Sequence, residues 1–210
     1  MSAIILVRHA EPEPAPPGSE SHWTDTALSE LGRHQAALVA ARLADELRDV
    51  PRVVVSSDLR RASQTAEAIA ASLGGEPVET TADLREFNNG GAIGSTEEAL
   101  REVAARQSEA ETWAHFHLRV SRAMQAVYER SLADGRVPVV VSHYGAMINI
   151  VSWWLELGLN DFGDTAVSFD AELACITVLR TNRQNKRTIA RLNDTGHYRE
   201  AGLARRLLDF

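Results

Sequence analysis

Residues 4–11 read Ile4-Ile5-Leu6-Val7-Arg8-His9-Ala10-Glu11, and the fold follows from the order of these eight side chains. Four consecutive aliphatic residues predict a short strand buried on both faces, as in a parallel sheet covered by helices. Arg8 and His9 follow at once, and then Pro12, Pro14, Pro16 and Pro17, which cannot continue a hydrogen-bonded ladder. A guanidinium and an imidazole are thereby delivered to the carboxyl end of a core strand, where an open α/β sheet places its chemistry. Residues 11–26 read as a loop beside that pair, with His22 and Trp23 in it, and loops at strand ends commonly carry specificity.

The same design recurs outward from this stretch. Ser29 is a good N-cap for a helix running to about residue 48, with Leu31, Leu38, Val39, Leu43 and Leu47 on one face. Pro51 breaks the chain, and Val53-Val54-Val55 predicts a second buried strand ending in Ser56-Ser57-Asp58. Asp58 is expected to cap a helix that reaches Leu73 and stops at Gly74-Gly75. Arg60 and Arg61 then fall in its first turn, where free N–H groups and the helix dipole already favour an anion. Two cations there are unfavourable unless an anionic ligand compensates them.

A short edge-like strand is expected at 77–79, and Glu86 stands at a loop rim before the turn-forming Asn88-Asn89-Gly90-Gly91. A short helix over 95–107 and a longer one over about 109–133 follow. The longer one carries Trp113, Phe116, Val120, Met124, Val127 and Tyr128 at helical spacing, a core stripe. His115 and His117 sit two residues apart on it and face different ways, so they do not ligate one metal together. Pro138-Val139-Val140-Val141 predicts a third buried strand, delivering Ser142-His143-Tyr144-Gly145 to a helix over 146–157. After a loop over 159–170, whose aspartates lack the spacing of a calcium loop, strands over 173–179 and 188–192 form a hairpin. The tail over 199–210 is amphipathic and reads as a short helix. The βαβα…ββ order implies a three-layer α/β/α sandwich, with a mostly parallel sheet, an antiparallel strand near its end and helices on both faces. All 210 residues are expected to form one domain.

Composition narrows the partners. The formal net charge of −7 argues against nucleic acid or an anionic membrane surface, while leaving a small anionic ligand open because local arginines decide that. The single cysteine, Cys175, excludes an internal disulfide and suits a reducing cytoplasm; it reads as a buried thiol. The first strand has no basic lead, so no signal peptide is expected, and no apolar run is long enough to span a bilayer. Oligomeric state is not legible, although Trp153-Trp154 would mark a contact surface if one of them were exposed.

Four elements end in polar groups that converge at the carboxyl edge of such a sheet: Arg8-His9, Arg60-Arg61, Glu86 and His143. One carboxylate against several cations is the wrong balance for a metal site, so no metal is expected. It is the right balance for a phosphate dianion, which arginine forks grip bidentately. A neutral histidine attacks phosphorus to give a phosphohistidine, dividing one difficult step into two. An alkoxide leaves poorly, so a protonated acid is also needed.

With these pieces in place the chain resembles the histidine phosphatase superfamily in its phosphoglycerate-mutase-like branch (branch 1). The matching stretches, in the family's order, are Val7-Arg8-His9-Ala10-Glu11, Leu28-Ser29-Glu30-Leu31-Gly32-Arg33-His34-Gln35-Ala36, Ser56 through Ala66, Leu84-Arg85-Glu86, and Val141-Ser142-His143-Tyr144-Gly145. The resemblance implies His9 as nucleophile, Arg8 and Arg61 as phosphate clamp, and His143 as a further phosphate ligand. It implies Glu86 as the acid that protonates the leaving oxygen and then activates water. Arg61 rather than Arg60 is selected because the family's arginine directly precedes an Ala-x-x-Thr stretch. Tyr144, beside His143, and His22, in the loop after His9, are further substrate-binding candidates. No metal or organic cofactor is implied, and the substrate is a small phosphorylated metabolite. The chain departs from the family at Ala10, where Gly is common, and at Pro12 and Ala15, where side-chain contacts to phosphate or substrate are often made.

The expected activity is hydrolysis of a phosphomonoester through a phosphohistidine. The alternative is mutase-type transfer to a second hydroxyl. Only a modest segment separates Glu86 from the long helix, whereas mutases of this type carry a longer insertion and a C-terminal tail over the site. A non-catalytic phospho-ligand-binding module is disfavoured because all five proposed catalytic residues are intact.

Overall fold

The computed structural model describes residues 2–17, 21–90, 110–157 and 168–202. In chain order these form β1 (Ala3–Arg8), α1 (Glu30–Glu46), β2 (Arg52–Ser57), α2 (Arg60–Ser72), β3 (Glu79–Thr81) and a 3₁₀ turn at Ala82–Leu84. They continue with α3 (Trp113–Ala133), β4 (Val137–Ser142), α4 (Tyr144–Trp154), β5 (Ile176–Thr181), β6 (Arg187–Asp194) and α5 (Gly196–Glu200). The helix expected over 95–107 and most of the expected C-terminal helix lie outside the described residues.

The six strands form one sheet in the order β3-β2-β4-β1-β5-β6. β3, β2, β4 and β1 pair in parallel, and β5 runs antiparallel to both its neighbours, so it alone is reversed. The register places Arg8 opposite Ser142 and Ser56 opposite Val141, so β1, β4 and β2 end together. That shared edge is where the chemistry-bearing residues emerge.

Alternation along the strands divides the core into two layers. Ile5, Val7, Val54, Val139 and Val141 face a layer closed by Val39, Leu43, Ala62, Ala66 and Ile69 of α1 and α2. Ile4, Leu6, Val53, Val55 and Val140 face the opposite layer, closed by Phe116, Val120 and Met124 of α3 and Met147, Ile150 and Trp154 of α4. Each fully buried aliphatic side chain contributes about 1.5–3 kcal/mol relative to exposure, which is why the valine runs hold both layers at once. This is the expected sandwich.

Several local expectations change. Leu31 is exposed, because α1 meets the core through Val39, Ala40 and Leu43 instead. Asp58 does not cap α2. The cap position is Leu59 without a side-chain bond, the Asp58 carboxylate is taken by Arg85, and Asp25 Oδ1 accepts from the Arg60 amide at 2.6 Å. α4 begins at Tyr144, with His143 as its N-cap residue. Trp154 is fully buried, and Trp153 is half-buried against the core. The last helix starts at Gly196, anchored by Arg42 on Asp194, and Arg42 and neighbouring N–H donors hold the Asp194 carboxyl well below the usual carboxylate range. No helix of the described residues is long and apolar enough to cross a membrane.

Candidate active site

His9 follows the last residue of β1, and its amide donates to Ser142 O at 2.9 Å, which stitches the ends of β1 and β4 together. Its ring is buried, with Nδ1 2.8 Å from Ala10 O. A carbonyl oxygen only accepts, so Nδ1 carries the hydrogen and Nε2 keeps its lone pair. His143 follows the last residue of β4, also buried, with its ring centroid 5.0 Å from that of His9. Its Nε2 lies 2.9 Å from Ser57 Oγ at the end of β2. Burial pushes both imidazoles well below the ordinary histidine range, and the charges of Arg61 and Arg8 push the same way. Both rings are therefore neutral around neutrality.

Arg61 is a buried cation and Arg8 a half-buried one, and desolvation lowers the pKa of each, opposed in part by the charge of Glu86. Arg8 Nη1 donates to Ala171 O at 2.6 Å, and the guanidinium lies over the Tyr144 ring at 5.5 Å. Arg61 reaches from the first turn of α2 to the carbonyls of Thr24 and His22, at 2.9 and 2.7 Å. Arg60, next to it, is exposed. Among the described residues, Arg8 Nε and His143 Nδ1 are buried polar atoms without a hydrogen-bond partner. Unpaired buried N–H groups are costly, and both suit an acceptor-rich anion.

Glu86 approaches from the loop after the 3₁₀ turn. Its Oε1 accepts from Phe87 N at 2.8 Å and its Oε2 from Gly145 N, in the first turn of α4, at 3.0 Å. A Cβ at position 145 would stand 2.5 Å from Glu86 Oε1 and 3.3 Å from Phe116, so only glycine lets the acid dock there. Electrostatic coupling links Glu86 to both arginines, and the arginines to both histidines, so the five proposed residues occupy one neighbourhood.

Of the other two candidates, Tyr144 lies at the rim, under Arg8, with its hydroxyl 2.8 Å from Ser168 Oγ. His22 is exposed and meets the site through its backbone: its carbonyl accepts Arg61 and its amide donates to Asn89 Oδ1 at 3.2 Å. Pro12 bridges Leu28, and Ala15 is exposed.

Several supports escaped the sequence reading although their motifs were noticed. Thr65 Oγ1 accepts from Ala10 N at 3.0 Å, Gln35 Oε1 from Glu11 N at 2.9 Å, and Gln64 Oε1 from Leu28 N at 2.7 Å. A Cβ on Gly32 would fall 1.9 Å from Glu11 O, so glycine there lets α1 close on the loop after His9. Trp23 Nε1 and Arg119 Nη2 both donate to Glu86 O, at 2.7 and 3.0 Å. Side chains of other stretches thus hold the backbone beside His9 and at Glu86.

The comparisons with known proteins agree with this fold. Phosphoserine phosphatase 1 of Hydrogenobacter thermophilus is 30% identical over 213 aligned residues, covering 95% of this chain and 96% of its own. Glucosyl-3-phosphoglycerate phosphatase of Mycolicibacterium vanbaalenii is 39% identical over 93 residues, which cover 44% of this chain and 40% of that protein. This chain therefore spans about two fifths of that relative's length. Relatives named as probable phosphoglycerate mutases also match. A solved mycobacterial glucosyl-3-phosphoglycerate phosphatase shares the fold, with a TM-score of 0.70 at 24% identity over 93% of this chain and 100% of that one. The model of the histidine phosphatase superfamily (branch 1) matches residues 4–195, and the chain belongs to that family.

Proposed function

We propose that the chain is a single histidine phosphatase domain that hydrolyses a small phosphorylated metabolite through a phosphohistidine on His9. The observation that carries this reading is the Nδ1 contact of His9 with Ala10 O, which leaves Nε2 as a neutral nucleophile within the fields of Arg8 and Arg61. In the proposed cycle Arg8 and Arg61 grip the phosphate oxygens. His143 donates through Nδ1 while Ser57 Oγ–H donates to Nε2. Nε2 of His9 attacks phosphorus, the P–O bond to the leaving group breaks, and Glu86 supplies the proton that the leaving oxygen takes. Glu86 then receives a proton from the water that attacks the phosphohistidine. Tyr144 is proposed to border the leaving group and His22 to shape the entrance by its backbone. Relatives named as phosphoserine and glucosyl-3-phosphoglycerate phosphatases support a small hydroxyl-bearing leaving group, and the lone buried cysteine supports a cytoplasmic setting.

The relatives named as mutases favour a second reading, transfer to another hydroxyl rather than to water. Purified protein in chelator, screened against p-nitrophenyl phosphate and a panel of alkyl phosphates, separates the two. Hydrolysis of the panel, with little interconversion of phosphoglycerates when a bisphosphate primer is added, is the expected result. Efficient interconversion with slow hydrolysis would reverse the order of the two readings.

The clamp makes its own prediction. Arg61→Ala should raise KM and lower kcat on the best substrate of that screen, because the guanidinium acts on both bound and reacting phosphate. Arg60→Ala should change either constant less than about twofold, since neighbours on a helix point about 100° apart. Equal damage from both changes would contradict the assignment of Arg61.

A further inference from the structure

We infer that Arg119 of α3 is a positioning residue that holds the Glu86 segment where its carboxyl reaches the leaving group. The inference rests on the role proposed for Glu86. Arg119 uses all five of its N–H donors. Nη1 donates to Asp83 O at 2.9 Å and to Arg85 O at 3.0 Å. Nη2 donates to Glu86 O at 3.0 Å and to Glu111 Oε1, and Nε donates to Glu111 Oε2 at 3.0 Å. Glu111 extends the grip, because its Oε1 also accepts from Asn88 N at 2.8 Å and its amide donates to Asn88 O at 3.0 Å. One guanidinium and its partner thus engage the backbone at positions 83, 85, 86 and 88.

This stretch has no ladder of its own, since residues 85–90 belong to neither helix nor strand. Carbonyls with no ladder partner are satisfied from a helix, and that fixes the peptide from which Glu86 projects. The guanidinium face rests on the Phe116 ring at 4.9 Å, and Phe116 lies beside Gly145, where the Glu86 carboxyl docks. Because Glu111 neutralises its charge, Arg119 acts through position and not as a third phosphate clamp. Lysine keeps the charge but offers a single point donor, which cannot span three carbonyls and a carboxylate together.

The test is Arg119→Lys, read as the single-turnover burst on the best alkyl phosphate of the screen and on p-nitrophenyl phosphate. Inhibition by inorganic phosphate is measured alongside, and the same change is made in the Glu86→Gln background. The alkyl phosphate burst should fall about ten- to a hundredfold, the size expected when a catalytic group is misplaced by roughly 1 Å. The p-nitrophenyl phosphate burst and phosphate inhibition should move less than about threefold, and in Glu86→Gln the alkyl loss should vanish because both changes disable one function. Equal loss on both substrates, no loss, or an undiminished loss in Glu86→Gln would overturn the inference. If Arg119→Lys does not fold, Glu111→Gln supplies the same comparison with the same selective direction expected. Should Glu86→Gln itself lack leaving-group selectivity, the role of Glu86 fails and the inference falls with it; selectivity in Glu86→Gln without selectivity in Arg119→Lys overturns the positioning role alone.

Discussion

His9→Ala is expected to lower phosphatase activity by more than about a thousandfold, a barrier increase of roughly 4 kcal/mol. The change removes the atom on which the phosphoryl group is proposed to rest, and neither water nor the neighbouring imidazole substitutes for it. His143 sits with its Nε2 engaged by Ser57 and its ring tilted 56° to that of His9. The fold should survive, because among the described residues the His9 side chain bonds only its neighbour's carbonyl, while the strand ends are joined by the His9 backbone amide. Inorganic phosphate should still inhibit or bind, since Arg8 and Arg61 reach the site from other anchors, Ala171 O and the carbonyls of the 22–24 loop. Residual activity above about a thousandth of wild type would show that His9 is not the nucleophile.

Glu86→Gln is expected to slow the burst on an alkyl phosphate about a hundred- to ten-thousandfold, the range for removing a general acid. On p-nitrophenyl phosphate the burst should change far less, because p-nitrophenolate leaves almost unaided. Only the burst discriminates, since the later attack of water also needs Glu86 as base. The amide substitution has a local consequence too. Both carboxylate oxygens accept from backbone N–H groups, so the new NH₂ must face a donor at Phe87 or at Gly145, and the side chain will turn from one of them. That displacement adds to the loss on the alkyl phosphate without affecting a leaving group that needs no proton. Equal losses on the two substrates would assign Glu86 to binding or orientation.

Much of this site was legible because its reactive side chains follow immediately on runs that only a buried strand explains. Val53-Val54-Val55 and Val139-Val140-Val141 fill both core layers, and the residues directly after such runs emerge at the sheet edge. Arg61 was legible as a cation misplaced at a helix start. What stayed hidden were pairings between side chains far apart in sequence. Asp58 looked like a helix cap because nothing local reveals Arg85 as its partner, 27 residues away. Asp25, 35 residues before Arg60, fills the role that was given to Asp58. Arg119 left one signal, a charge between Phe116 and Val120 on the core-facing stripe of α3, where a cation persists only with partners. The long-range carbonyls it serves at 83, 85 and 86 have no sequence signature at all.

The most direct test of the account is chemical trapping of the intermediate. Enzyme mixed with phosphate-labelled substrate, quenched within the burst and digested, should yield one labelled peptide containing residue 9, with the label lost in acid, retained in base and absent from His9→Ala. Label that is stable in acid, label on a peptide other than the one containing His9, or full-rate turnover with no label bound would contradict a mechanism through phosphohistidine at His9.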